Sequence, residues 1–200
     1  MSKTITIGVL ALQGDFERHE EMLLALRQHV IRVRTTNDLC QCDGLIIPGG
    51  ESTTLLKLLK KQNMWKALLE YGKIHPIYGT CAGCIILADT VVGMDQESLK
   101  LVDVSVKRNA YGRQIDSFID DIKISLNGTT KMMEGVFIRA PKIVSMGAEV
   151  KPLAWHQEDV VLAEQDSILV GTFHPELTRD LAVHRYFINL VKDGLNKTGE

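Results

Sequence analysis

Runs of consecutive apolar residues, not alternating ones, set the character of the first half of the chain. Thr4 to Leu12 (TITIGVLAL), Gly44 to Ile47 (GLII) and Pro76 to Tyr78 (PIY) are short and bounded by turn-forming or charged residues, and Val30 to Arg34 (VIRVR) reads as a further strand. Such runs suit strands buried on both faces. Between them the period changes. Asp15 to Arg27 carries Phe16, Met22, Leu23 and Leu26 at helical spacing, with charged residues between. Thr53 to Tyr71 has the same pattern as one long helix, with Ser52 or Thr53 as its expected N-cap. Cys84 to Ala88 is a further apolar, helix-capable run. The resulting order, βαββα-βα, predicts an α/β fold with a mostly parallel sheet.

The second half is different. Leu101 to Lys107 (LVDVSVK) alternates, and Ser117-Phe118 leads into Ile122-Lys123-Ile124. Glu134 to Ala140, Val150 to His156, Val160 to Glu164 and Ile168 to Phe173 are short strand candidates, with turns at Asn127-Gly128 and Gln165-Asp166. Leu181 to Leu195 closes the chain as an amphipathic helix. No repeat or linker interrupts residues 1–200, so a single domain is expected.

Composition narrows the function. The 200 residues are 45% hydrophobic and 24% charged, with a net charge of −2 from 23 basic and 25 acidic side chains. These are the proportions of an ordinary globular protein. There is no basic stripe for nucleic acid, no polybasic cluster for a membrane surface and no apolar run long enough to span a bilayer. The N-terminal residues lack the pattern of a signal peptide, so a cytoplasmic protein is expected.

The chemistry centres on His75 to Asp89, HPIYGTCAGCIILAD. A strand runs into Gly79-Thr80-Cys81-Ala82-Gly83 and out into a helix. This is the grammar of a nucleophile elbow, with cysteine in place of serine. A thiol at a helix start is acidified, because the N–H groups there favour the thiolate. The same five residues also suit a buried structural thiol. Two further readings of the cysteines stay open at this point. Cys40 and Cys42 with Cys81 and Cys84 provide four thiolates for zinc, and Cys81 with Cys84 is a C-x-x-C pair.

Ligands of open α/β sheets bind beyond the carboxyl ends of the strands. Besides Cys81, two such ends carry polar chemistry. Pro48-Gly49-Gly50-Glu51-Ser52 presents bare backbone N–H groups, and Thr172-Phe173-His174-Pro175-Glu176 presents an imidazole and a carboxylate two residues apart. Residues at that spacing in extended chain share a side. Glu176 can therefore fix the tautomer of His174, completing a Cys-His-Glu triad. His156 is the rival base, but it precedes a hairpin turn instead of ending a central strand. Arg108 and Arg139 are candidates to pair with a substrate carboxylate, or are solvated surface arginines. Glu51 either binds an amino group or caps the following helix.

These motifs resemble the class I (triad) glutamine amidotransferases. Leu10-Ala11-Leu12-Gln13-Gly14, Pro48 to Thr53 (PGGEST), Arg108 to Gln114 (RNAYGRQ) and Phe137 to Pro141 (FIRAP) are similar, more narrowly, to the glutaminase subunits of pyridoxal 5′-phosphate synthases. The resemblance runs in order from residue 10 to residue 176. It implies a single-domain, flavodoxin-like three-layer fold, with a mostly parallel central sheet flanked by helices and additional short antiparallel strands in the second half. It also implies hydrolysis of L-glutamine to L-glutamate and ammonia through a thioester, with no cofactor and no metal. The ammonia passes to a synthase subunit, in a heteromeric complex, that builds the vitamin from ribose 5-phosphate and glyceraldehyde 3-phosphate. By this resemblance Cys81 is the nucleophile, His174 the base and acid, and Glu176 its orienting group. Gly49, Gly50, Glu51, Arg108, Ile138 and Arg139 match glutamine-binding positions. Cys84 stands where an apolar residue is expected.

The oxyanion of a tetrahedral intermediate needs two donors. The expected ones are the N–H of Ala82 and a backbone N–H at Gly49-Gly50, chiefly Gly50, where paired glycines also permit a peptide flip when a partner docks. The first helix, with His19, Glu20 and Glu21, is the expected partner surface. The rival functions are another class I glutaminase, such as the histidine-pathway subunit, a cysteine hydrolase or stress protein of the same architecture, and a non-catalytic partner-binding domain.

Overall fold

The computed structural model describes residues 5–110 and 117–198, so Tyr111, Gly112, Arg113 and Gln114 of the RNAYGRQ stretch lie outside the described residues. The chain begins with β1 (Thr6–Leu10), α1 (Phe16–Ala25), β2 (His29–Val33), α2 (Thr36–Leu39) and β3 (Gly44–Ile47). It continues through α3 (Ser52–Lys61), α4 (Met64–Gly72), β4 (Ile77–Thr80) and α5 (Ala82–Leu87). Strands β5 (Ala88–Val92), β6 (Val102–Lys107), β7 (Ser117–Leu126), β8 (Thr129–Ile138), β9 (Lys142–Met146), β10 (Lys151–His156), β11 (Asp159–Gln165) and β12 (Ile168–Gly171) follow. A single 3-10 turn (Pro175–Leu177) and α6 (Ala182–Thr198) complete it.

The main sheet has the order β2-β1-β3-β4-β12-β11-β10-β7-β8. Its first five strands pair in parallel and the remainder antiparallel. The parallel order is that of flavodoxin-like sheets, so the carboxyl ends of β1, β3, β4 and β12 share one edge. A second, three-stranded sheet has the order β5-β6-β9.

Successive side chains of each parallel strand enter opposite layers, as the pleat requires. Leu45 and Ile47 pack with α3, α4, α5 and the small sheet, while Ile46 packs on the other face with Leu23 of α1 and Phe187 of α6. Fully buried Phe187 lies against Tyr78, with ring centroids 5.8 Å apart.

Several elements depart from expectation. The long helix expected over Thr53 to Tyr71 is two helices, because Asn63 adopts a left-handed φ of 56° between them. The N-cap of α3 is Glu51, whose carboxylate accepts the Thr53 N–H, and not Ser52 or Thr53. The Ser117–Leu126 and Thr129–Ile138 strands are ten residues each, joined through Asn127 (φ 50°) and Gly128 (φ 77°). Both turn residues have the positive φ of a type I′ hairpin. Strands β5 and β9 and helix α2 had no counterpart in the hydrophobic pattern. Among the described residues, no helix is long and apolar enough to cross a membrane.

Candidate active site

The ends of six strands, β1, β3, β4, β6, β8 and β12, meet at the site. At the end of β4 the chain turns sharply, and Cys81 adopts φ 47°, ψ −99°. Positive φ is strained for a side chain with a Cβ and costs on the order of 1–3 kcal/mol. Surrounding contacts impose it: the Cys81 N–H donates to the Gly171 carbonyl of β12 at 2.8 Å, and α5 begins at once with Ala82. Gly83 is required because a Cβ there would run into the Ile47 carbonyl of β3. The turn leaves Cys81 with 5% exposure, lining a cleft of about 220 Å³.

His174 arrives from β12. Its N–H donates to the Val136 carbonyl of β8 at 2.8 Å, which ties the base to the antiparallel half of the sheet. Its Nδ1 lies 2.7 Å from Glu176 Oε1 in the 3-10 turn, and its Nε2 has no hydrogen-bond partner among the described residues. With the Glu176 carboxylate on Nδ1, that nitrogen carries the proton and Nε2 is left for the cleft. Burial works against charge on His174, but the Cys81 sulfur and the Glu176 carboxylate outweigh it and raise its pKa from 6.5 to about 10. Burial likewise opposes charge on Glu176, yet His19 and His174 hold its pKa far below the ordinary 4.5. The arrangement therefore favours an imidazolium between a carboxylate and a sulfur. The Cys81 thiol itself faces the Ile138 carbonyl, with Sγ 3.8 Å from the oxygen.

Gly49 and Gly50 follow β3. A Cβ on Gly49 would overlap the His174 ring, so only glycine fits beneath it. The Gln13 side chain spans the turn, donating to the Gly49 carbonyl at 3.3 Å and accepting the Glu51 N–H at 3.1 Å. Because C=O and N–H point oppositely in a trans peptide, this bond directs the Gly50 N–H away from Gln13.

The chain matches the model of the SNO glutamine amidotransferase family over residues 9–193. The chain belongs to this family. It is 46% identical over 187 residues to the pyridoxal 5′-phosphate synthase subunit PdxT of Thermosipho africanus, covering 93% of this chain and 98% of that protein. To the subunit of the same name from Thermotoga neapolitana it is 48% identical over 189 residues, covering 93% and 99%. A crystal structure of a glutamine amidotransferase superposes with a TM-score of 0.86 at 41% identity, covering 92% of this chain and 98% of that one.

Within this amidotransferase framework the other expected residues meet in one place. Gly50, Glu51, Arg108, Ile138, Arg139, Cys81 and His174 line the same cleft. Arg108, just past β6, reaches Glu51 Oε1 with Nη2 at 2.6 Å and Gln96 Oε1 with Nη1 at 3.2 Å. It is a held arginine, not a solvated one. Glu51 caps α3 and faces Arg108 at once, and its pKa is lowered: burial opposes the shift, while Thr53 and Arg108 outweigh it. Arg139 has a left-handed φ of 42° at the end of β8, which turns the chain at the cleft wall. The sequence reading missed Gly14, Asp15, Ser52, Ile85 and Asn109 in the lining and Gln96 behind Arg108. Gly14 and Asp15 were within reach, since they follow a strand that ends on the same edge.

Two expectations change. His19 is fully buried and contacts Glu176, so it contributes nothing to an exposed partner surface, although Glu20 and Glu21 remain on the outer side of α1. Cys84 is fully buried in the core cluster, where burial, with a smaller contribution from Cys81, raises its pKa above its ordinary 9.0. An apolar environment suits a structural thiol. The rival base His156 ends β10 and lies 2.9 Å from Asp120, on the antiparallel half of the sheet and outside the cleft lining.

Proposed function

We propose that this chain is a glutaminase that hydrolyses L-glutamine to L-glutamate and ammonia and delivers the ammonia to a pyridoxal 5′-phosphate synthase subunit. The observation that carries the reading is the buried His174–Glu176 pair beside the elbow Cys81, in a cleft walled by Glu51 and Arg108. Family membership and the likeness to PdxT proteins over nearly the full length support the pathway. On this reading residues 1–200 act as one cytoplasmic glutaminase domain, paired with its synthase subunit in a heteromeric complex.

The steps follow from the electrostatics. The Cys81 thiol gives its proton to His174 Nε2, and the thiolate attacks the carboxamide carbon. The oxyanion is held by the Ala82 N–H and a backbone N–H at Gly50. Losing one such donor costs about 2.7–4 kcal/mol of barrier. The His174 imidazolium then protonates the departing nitrogen, and the C–N bond breaks to give ammonia and a thioester. Water, deprotonated by the same imidazole, cleaves the thioester to glutamate. Glu176 stays ionised throughout and keeps the His174 Nδ1 proton in place. Arg108 pairs with the substrate's α-carboxylate and Glu51 with its α-ammonium, while Ile138 and Arg139 close the wall.

The test is ammonia release from glutamine, by the chain alone and with a synthase subunit, for the native protein and Cys81→Ala. Turnover that rises with the subunit and vanishes in the variant is the expected result. Turnover that survives Cys81→Ala would refute the triad, and turnover indifferent to the synthase subunit would refute the pathway.

A further inference from the structure

Behind the Cys81-His174-Glu176 group lies a second layer of buried polar side chains. His19 on α1 and His184 on α6 are both fully buried. His19 Nε2 faces Glu176 Oε2 at 3.5 Å and Thr80 Oγ1 at 3.3 Å. His19 Nδ1 lies 2.9 Å from His184 Nε2. Glu176 thus uses Oε1 for His174 and turns Oε2 to His19; that second contact is long for a hydrogen bond, and Oε2 has no other partner among the described residues.

The protons can be assigned. Burial presses the pKa of His184 down to about 3, so it is neutral and has a single N–H. Its Nδ1 has no partner among the described residues. An N–H on Nδ1 would be a stranded buried donor, which is the costlier orphan. The proton therefore sits on Nε2 and is donated to His19 Nδ1. His19, accepting there, carries its own proton on Nε2, directed at Glu176 and Thr80. The other group facing this cluster is Tyr78 on β4, its ring centroid 6.4 Å from that of His19; burial first, then Glu176, keeps its hydroxyl protonated. His174 and Cys81 face it from the cleft side.

We propose that His19 is a positioning residue for glutamine hydrolysis: its Nε2–H steadies the second oxygen of Glu176, and His184 fixes the tautomer that makes this donation available. The inference rests on the triad reading above. An unsupported buried carboxylate would take up a proton more readily or rotate off His174, and either change weakens the base.

The test compares His19→Asn with His19→Gln. Glutamine carries an amide N–H near the place of Nε2, whereas asparagine is too short to reach it. With the synthase subunit present, His19→Asn is expected to lower kcat at least tenfold with KM changed less than threefold. Its acid limb for alkylation of Cys81 by iodoacetamide is expected to move to higher pH, and His19→Gln to restore most of both. Equal losses in the two variants, or an unmoved acid limb in His19→Asn, would overturn the proposal. The imidazole nitrogen signals of the native protein need no variant. An Nε2–H tautomer for His19 and His184 is expected, and a proton on Nδ1 of His184 would overturn it. Cys81→Ala tests the triad separately, so its inactivity alongside an unmoved His19→Asn acid limb would remove this inference alone.

Discussion

Gly49→Ala gives the sharpest test of how the site is built. The added methyl would lie 3.1 Å from His174 Nδ1 and 3.4 Å from Cys81 Cβ, and closer still to His174 Cε1. Carbon atoms rest about 3.5–4.0 Å apart, so the ring must retreat by about 1 Å. His174 has little room to do so, being held by the Val136 carbonyl through its N–H and by Glu176 at 2.7 Å through Nδ1. A displacement of that size costs on the order of 100-fold in rate, or about 2.7 kcal/mol of barrier. The assay is ammonia release with the synthase subunit, beside thermal unfolding. Gly194→Ala is the control: its methyl meets Pro76 Cγ at an ordinary 3.6 Å within α6. Alanine in a helix interior gains about 0.5–1 kcal/mol over glycine. Gly49→Ala should be folded and slow, Gly194→Ala active and slightly more stable. A folded Gly49→Ala within threefold of native activity would refute the close-packed base.

Arg108→Ala should raise KM for glutamine about 10- to 100-fold with kcat little changed, since a charged hydrogen bond contributes about 1.5–3 kcal/mol to binding; a fall in kcat at unchanged KM would contradict its binding role. Phe187→Ala, at a fully buried position beside Tyr78, should lower stability by about 3–5 kcal/mol in denaturant unfolding, and a loss below 1 kcal/mol would show the face to be loosely packed. Stability should also follow pH. The lowered pKa of Glu176 stabilises the fold above its unfolded value of 4.5 and is lost as pH falls below it; the raised pKa of His174 stabilises fully below 6.5 and is lost as pH rises through about 10; His184, held neutral, opposes below 6.5. In urea titrations, Glu176→Gln should therefore cost most between pH 4.5 and 6.5, where both contributions are present, and an equal cost at about pH 3 would refute the linkage.

What the sequence revealed depended on how local the signal was. The central parallel strands β3, β4 and β12 were legible because each is buried along its whole length and ends at or beside Gly or Pro. Strand β9 was not, since only Ile143 of its five residues is buried and the pattern reads as surface. Helix α2 has four residues, too few for a period, and its start is marked only by the capping box of Thr35 and Asp38. The break at Asn63 is one residue's backbone inside a run that suits a helix throughout. The meeting of Cys81, His174 and Glu176 was legible because His174 and Glu176 are neighbours in the chain and because strand ends point to one edge. The contact of His19 with Glu176 joins residues far apart in sequence, and a histidine between charged residues on α1 gives no sign of burial.

The division of the sheet explains why two kinds of motif were present. On the proposed mechanism, the parallel strands supply the parts that make and break bonds: Cys81 after β4, His174 after β12 and the Gly49-Gly50 turn after β3. The walls come from elsewhere. Arg108 follows β6 of the small sheet, Ile138 ends β8 in the antiparallel extension and Arg139 follows it. The two parts are not independent, because the Ile138 carbonyl faces the Cys81 thiol and the Val136 carbonyl holds the His174 N–H. A change in the β7–β8 hairpin therefore moves the base as well as the wall. Substrate or partner contacts on that hairpin thus have a direct mechanical route to the chemistry, which the parallel core alone does not provide.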